Sequence, residues 1–386
     1  MAFGVYIHVP FCATRCGYCD FNTYAPGDAR GSAREPYVEA ALGEIRMARK
    51  ALEDDGRPDG LPIDTVYFGG GTPTVLPNAA LIRLLDGVRE AWGLAPGAEV
   101  TVEANPDSVT PEGFVELAAA GFTRVSLGMQ SAVPEVLATL ERTHDPENVT
   151  RAVAGARAAG LDVSLDLIYG TPGESLDDWR ASIDAAVALA PDHLSAYALV
   201  IEPGTRMGAA LRRGAIDEVD PDLQAEMYEE AERALNAAGY GWYEVSNWAR
   251  DIFRRCRHNM GYWKNHDWWG IGAGAHSHLR ATYSRSEIRW WNVKNPRTYT
   301  ERIEAGLSPE EDREFITEEQ ERTEAIMLHI RLKPGLNPAR LTPEAAERVP
   351  GLVAEGLLEP PAKNGGRLVL TIRGRLLANA VIRALT

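Results

Sequence analysis

Cysteine is scarce in this chain, with four in 386 residues. So few thiols, unevenly placed, do not make a disulfide framework of the secreted kind, and reduced thiols are expected. An apolar run of membrane-spanning length is also missing. So is a charged n-region followed by an apolar h-region at the start, MAFGVY, which leads directly into the first β-type run. A cytoplasmic protein without a transmembrane segment is therefore expected. Basic charge is the third shortage: 40 Lys and Arg stand against 55 Asp and Glu, a formal net charge of −15. That argues against a broad nucleic-acid or anionic-membrane surface. What is present, 45% hydrophobic and 25% charged residues, is ordinary for a globular chain. Its length permits one large domain and a smaller one.

Three of the four cysteines are gathered in residues 6–24, YIHVPFCATRCGYCDFNTY, with the spacing C-x3-C-x2-C. Thiolates favour zinc, copper(I) and iron–sulfur clusters. A structural zinc site wants four ligands, usually in two pairs, and His8 has the wrong direction and spacing to complete one. Three thiolates instead suit a [4Fe–4S] cubane with one iron left open, because a fully protein-ligated cluster uses four. Three inert buried cysteines within eight residues are the bland alternative.

The rest of the chain is read as alternating strands and helices. β-type runs fall at 4–9, 65–70, 99–104, 124–129, 162–169 and 193–200. Helical segments fall between them at 34–52, 78–92, 111–120, 134–140, 146–159 and 176–189. Apolar strands alternating with helices imply a parallel sheet covered on both faces, and six units fit a partial (β/α)6 barrel. In such barrels the active site lies at the C-terminal strand ends. The polar residues Glu103, Gln130 and Asp166 stand in otherwise apolar strands there, as a shared ligand pocket would require. Glycines 69–71 follow the second strand, where backbone can approach a ligand closely. Arg142 is read either as a pocket cation or as half of a surface salt bridge.

Residues 221–238 read as an acidic helix whose Leu223, Met227 and Leu235 pack on the barrel. A second dense stretch, CRHNMGYWKN at 256–265 followed by WWGIGAGAHSH at 268–278, reads as an irregular loop closing the open side of the barrel. A histidine beside flat aromatics also suits axial ligation of haem, and Cys256 is either a thiolate ligand or a buried inert thiol. From about residue 309, helices and a short hairpin, 356–359 with 367–371, suggest a small unit without a clear basic patch.

The cysteine spacing, with Tyr18 before the last Cys, resembles the radical S-adenosylmethionine (SAM) superfamily. GGGTPT, VEANP, LGMQS, DLIYGTPGE and GIGAGAHS extend the resemblance along nearly the whole chain, to its coproporphyrinogen dehydrogenase-like branch. The resemblance implies that Cys12, Cys16 and Cys19 ligate the cluster. It implies that Tyr6, Tyr18, Gly70, Gly71, Thr72, Glu103, Gln130, Arg142, Asp166 and Ala198 form the cofactor pocket, with SAM on the fourth iron. It adds His276 to the cofactor-pocket residues. HN-x2-YW, 258–263, resembles the HemW-type haem chaperones, and makes His258 the haem-ligand candidate. Oxygen-independent coproporphyrinogen III oxidases carry a further Cys two residues past the third, where this chain has Phe21. The expectation is thus a radical SAM fold that binds haem and delivers it to apo-haemoproteins, with that oxidase or another radical SAM enzyme as the alternative. Domains are expected at 1–205 (barrel core), 206–305 (extension with the haem-candidate loop) and 306–386 (mainly helical, winged-helix-like).

Overall fold

The computed structural model describes residues 2–27, 33–54, 62–280 and 287–386. Six strands form its centre: β1 (Phe3–Val9), β2 (Ile63–Gly70), β3 (Leu94–Ala104), β4 (Arg124–Gln130), β5 (Asp162–Tyr169) and β6 (His193–Ala198). They pair in sequence order and all in parallel. Their interiors, such as Val5, Ile7, Val66, Val125 and Leu165, are fully buried because helices cover the outer face. The helices between them keep the expected places. Asn78–Trp92 and Pro111–Ala120 match residue for residue, and the others agree within two residues at each end. Met227 and Leu235 of the helix Pro221–Ala237 are buried against the barrel, as their spacing predicts.

The sheet does not stop at six strands. β7 (Gly241–Glu244) and β8 (Asn247–Ala249) extend it antiparallel beyond β6. On the other side β9 (Asp267–Ile271) adds in parallel to β1, and β10 (His276–Leu279), β11 (Glu287–Asn292) and β12 (Glu310–Ile316) follow antiparallel. The stretch expected as an irregular loop is therefore largely regular: a short helix, Arg257–Trp263, then β9 and the start of β10. β12 lies beyond the boundary expected at 306, yet its pairing with β11 keeps it in the main sheet. A separate apolar core begins at the helix Glu318–His329 and runs from Ile326 to Leu385. Within it, the expected hairpin is a single antiparallel bridge, Leu358 to Leu370.

The segment 254–263 closes the barrel at the N-terminal strand ends. Glu99, at the base of β3, accepts hydrogen bonds from the backbone N–H of Arg257 and of His258, both at 3.0 Å. Arg124, at the base of β4, lies 3.5 Å from the same carboxylate and donates to the carbonyls of Arg254 and Arg255. Both side chains are buried. The helix Arg257–Trp263 is thus locked across the floor, opposite the cysteine loop.

Removing one partner of a buried ion pair strands the other. Glu99→Ala is expected to cost roughly 3–5 kcal/mol of stability. Urea unfolding checks this as a lowered midpoint with an unchanged slope.

Candidate cofactor site

The cysteine loop leaves the C-terminal end of β1 and is held by backbone bonds on both flanks. Cys12 N–H donates to the Tyr24 carbonyl at 3.0 Å, and Tyr24 N–H to the Pro10 carbonyl at 2.7 Å. The glycine turn after β2 clasps the start of the loop: Gly71 N–H donates to Val9 O and Thr72 N–H to Phe11 O, each at 2.8 Å. Glycine is required at 71, because a Cβ there would stand 2.5 Å from the Phe11 carbonyl oxygen. Gly70 has φ +110° and its Cβ would strike the His8 ring at 2.4 Å, so it too admits no side chain.

Above this clasp lies a cavity of about 540 Å³. Cys12, Cys16 and Cys19 line it, with Tyr18, Gly70, Gly71, Thr72, Glu103, Gln130, Arg142, Asp166 and Ala198. Of the expected cofactor residues, only Tyr6 and His276 lie outside it, lining a neighbouring cleft, while the haem candidate His258 lies below. Arg142 donates to the Cys16 sulfur at 3.6 Å and to the Gly128 carbonyl at 2.9 Å, so it is a pocket cation and not a surface salt bridge. Thr72 donates to the Cys12 sulfur at 3.8 Å.

Four polar groups suit a ligand. The Gln130 side-chain oxygen and Arg142 Nε are buried without a partner among the described residues. Gln130 is held at φ +57° beside a register shift in β4, which aims a non-glycine residue into a costly conformation. Glu103 accepts from Tyr67 OH at 2.8 Å and from Gly70 N–H at 3.2 Å, and burial raises its pKa to about 7. Burial also raises Asp166, which accepts from Ser126 at 2.7 Å.

Burial pushes the Cys12 thiol up to about 11 and raises Cys19 as well. A metal that binds here therefore displaces protons. Among the described residues no three His, Cys, Asp or Glu side chains converge on a single ion. A [4Fe–4S] cluster makes no such demand, because each thiolate binds a different iron and the ligands stand apart. The donor set and the orphaned polar atoms fit a three-cysteine cluster with a polar ligand on its fourth iron.

His258, the haem-ligand candidate, is not in this cavity. It sits in the floor with Nδ1 2.8 Å from Thr65 Oγ1 and Nε2 2.8 Å from Tyr262 OH. Buried and with both nitrogens engaged, it has none to offer a metal, and burial lowers its pKa to about 3. Its role here is packing: Tyr67 stacks on it at 5.2 Å between ring centroids and Tyr262 meets it edge-on at 4.9 Å. Cys256, by contrast, is buried yet lines the cavity from its floor, its thiol 3.7 Å from Glu99 and raised by burial.

The radical SAM superfamily pattern matches residues 6–186. A protein of Mycobacterium tuberculosis (strain CDC 1551 / Oshkosh) named heme chaperone HemW is 50% identical over 384 residues, 99% of this chain and 94% of that one. Proteins of the same name from Escherichia coli (strain K12) and Bacillus subtilis (strain 168) are 38% and 32% identical, over 76% and 98% of this chain and 75% and 98% of their own. Among solved structures, coproporphyrinogen III oxidase (HemN) from Escherichia coli superposes with a TM-score of 0.81 at 21% identity, covering 100% of this chain and 90% of that one. That match shows a shared fold. The chain belongs to the HemW family of the radical SAM superfamily. Membership of the superfamily implies a [4Fe–4S] cluster and SAM.

The clasp makes a prediction. Gly71→Ala should leave far-UV circular dichroism unchanged but remove most of the iron and sulfide taken up on anaerobic reconstitution. Cys16→Ala should abolish the cluster absorbance.

Proposed function

We propose that this chain is a haem chaperone: it holds a [4Fe–4S] cluster with SAM at the open iron, takes up haem and passes it to apo-haemoproteins. Cys12, Cys16 and Cys19 hold the cluster. Gly70, Gly71, Thr72, Glu103, Gln130, Arg142, Asp166 and Ala198 receive SAM, with Arg142 suited to its carboxylate and the acidic pair to its hydroxyls and amino group. Tyr18 sits beside the cluster, and Tyr6 borders the pocket from the neighbouring cleft. When bound, the cluster and SAM supply a site for one-electron chemistry; the protein fixes their orientation and keeps a polar, half-enclosed cavity around them.

The observation that carries the chaperone reading over the oxidase is Phe21. Where the oxidases have a further thiol, this chain presents an aromatic ring that is 62% exposed at the rim of the cavity. A ring there contributes an apolar face and no metal ligand. The names of the relatives point the same way. No helix among the described residues is long and apolar enough to cross a membrane. With four free thiols, we place the protein in the cytoplasm.

The test is haem uptake by the anaerobically reconstituted protein and its transfer to an apo-haemoprotein, read by optical spectra. Turnover of coproporphyrinogen III under reducing conditions would overturn the reading in favour of the oxidase. A pH dependence is also expected. Glu103, with its pKa near 7, is protonated below neutrality and above it is a carboxylate that accepts from the N–H and O–H groups of SAM. SAM affinity should therefore rise from pH 6 to pH 8 by about tenfold, and Glu103→Gln should flatten the profile in equilibrium binding.

A further inference from the structure

We infer that haem is carried in the cleft beside the barrel cavity, with His276 as its axial ligand and the cations Lys294 and Arg331 meeting its propionates. This rests on the haem-carrier reading and gives that cargo a site. Haem asks three things of a protein: a nitrogen with a free lone pair, flat apolar walls, and positive charge for two carboxylates. The floor segment's His258 offers no such nitrogen to an incoming ligand, because it is buried with both ring nitrogens engaged.

The cleft has a volume of about 980 Å³, at the upper end of the roughly 300–1,000 Å³ usual for small-molecule sites. Two histidines line it. His8 has both nitrogens occupied, by Tyr6 OH at 3.0 Å and by the Asn22 carbonyl at 2.9 Å. His276 is exposed at the start of β10, and neither of its ring nitrogens bonds to another described residue. Its orientation is set from behind. Trp291 stacks on the imidazole at 5.8 Å and 26°, and Trp268 Nε1 donates to the His276 carbonyl at 3.0 Å. A histidine with a fixed plane and free nitrogens, on a rigid strand, is what an axial ligand requires.

Trp268, Phe21 and Met327 supply apolar wall. Phe21 and Met327 are 62% and 40% exposed, so large apolar surface is left bare in this cleft. Charge completes the match. Although the chain carries a net −15, Lys294 and Arg331 line the cleft with no carboxylate partner among the described residues. Arg331 donates instead to the Met327 carbonyl and the Asn379 side chain. By contrast Arg289, which also lines the cleft, is neutralised by Glu314 and Glu324. Arg15, which donates to the Cys19 and Phe21 carbonyls, is a third cation lining the cleft without a carboxylate partner among the described residues, and Lys294 and Arg331 suit the two propionates of haem.

The test is a titration of ferric haem into the reconstituted full-length protein, read by difference spectra and electron paramagnetic resonance. His276→Ala should lose the histidine-ligated signature and bind haem at least tenfold more weakly, with added imidazole restoring the signature. His258→Ala, where it folds, should keep the signature. Lys294→Glu combined with Arg331→Glu should weaken haem binding, and should bind haem dimethyl ester as well as the wild type does. If the wild type takes up no haem, the carrier reading falls and the site with it. If the wild type binds haem while His276→Ala keeps the same signature and affinity, or folded His258→Ala loses the signature, the site assignment fails and the carrier reading stands.

Discussion

One buried carboxylate determines which way this barrel opens. Glu99 receives two backbone N–H groups from the floor helix and faces the Arg124 guanidinium, deep at the N-terminal strand ends. Such a pair contributes little net stability over an apolar plug, because desolvation offsets most of its attraction. What it supplies is position. The floor segment can satisfy both charges in one register only, so its aromatic and histidine side chains are committed to filling the barrel base. Glu103, Gln130 and Asp166, among the lumen's other polar groups, are left for whatever enters from the cysteine side.

That commitment divides the chemistry between two adjoining spaces. The barrel cavity holds the thiols and the orphaned amide and guanidinium atoms. The cleft holds the free histidine, the bare apolar surface and the unpaired cations. Asp20, Phe21, Gly70 and Glu103 line both. A carrier must bind its cargo with different affinity in two states, and a ligand shifts such an equilibrium only through contacts that differ between them. On the proposed reading, the shared wall is where a change at the cluster would meet the cleft directly, with no long path needed.

Much of the core was legible before any coordinates. Parallel strands buried on both faces read as apolar runs, so β1 to β6 stood out. The single polar residues set into β3, β4 and β5 marked the cavity. The strands added at the edges were not legible for a physical reason. β12 reads EEDREFI, a charged sequence suited to an exposed edge and poor in the alternation that marks a strand. β9 and β10 are short and lie in a stretch whose glycines and aromatics read as loop. That His258 lies at the N-terminal end of the barrel was not legible, because a motif gives residue types and spacing but not which end of a barrel they occupy. Lys294 and Arg331 had no signal at all, since they reach the cleft from elements distant in sequence, just after β11 and just past the helix Glu318–His329.

The strand that roots the cysteine loop is also the strand least able to fray. β1 pairs in parallel with β2 on one side and β9 on the other, and four and seven strands separate it from open solvent at the two sheet edges. Local opening begins at edges and loop ends, and a strand flanked on both sides exchanges its amide hydrogens only on near-global unfolding. An iron–sulfur cluster of the kind the superfamily implies is the most perishable part of such a protein, and the loop that would hold it hangs from the most durable part. A cluster lost to oxygen would therefore leave a folded receptacle, able to be filled again without passing through the unfolded chain.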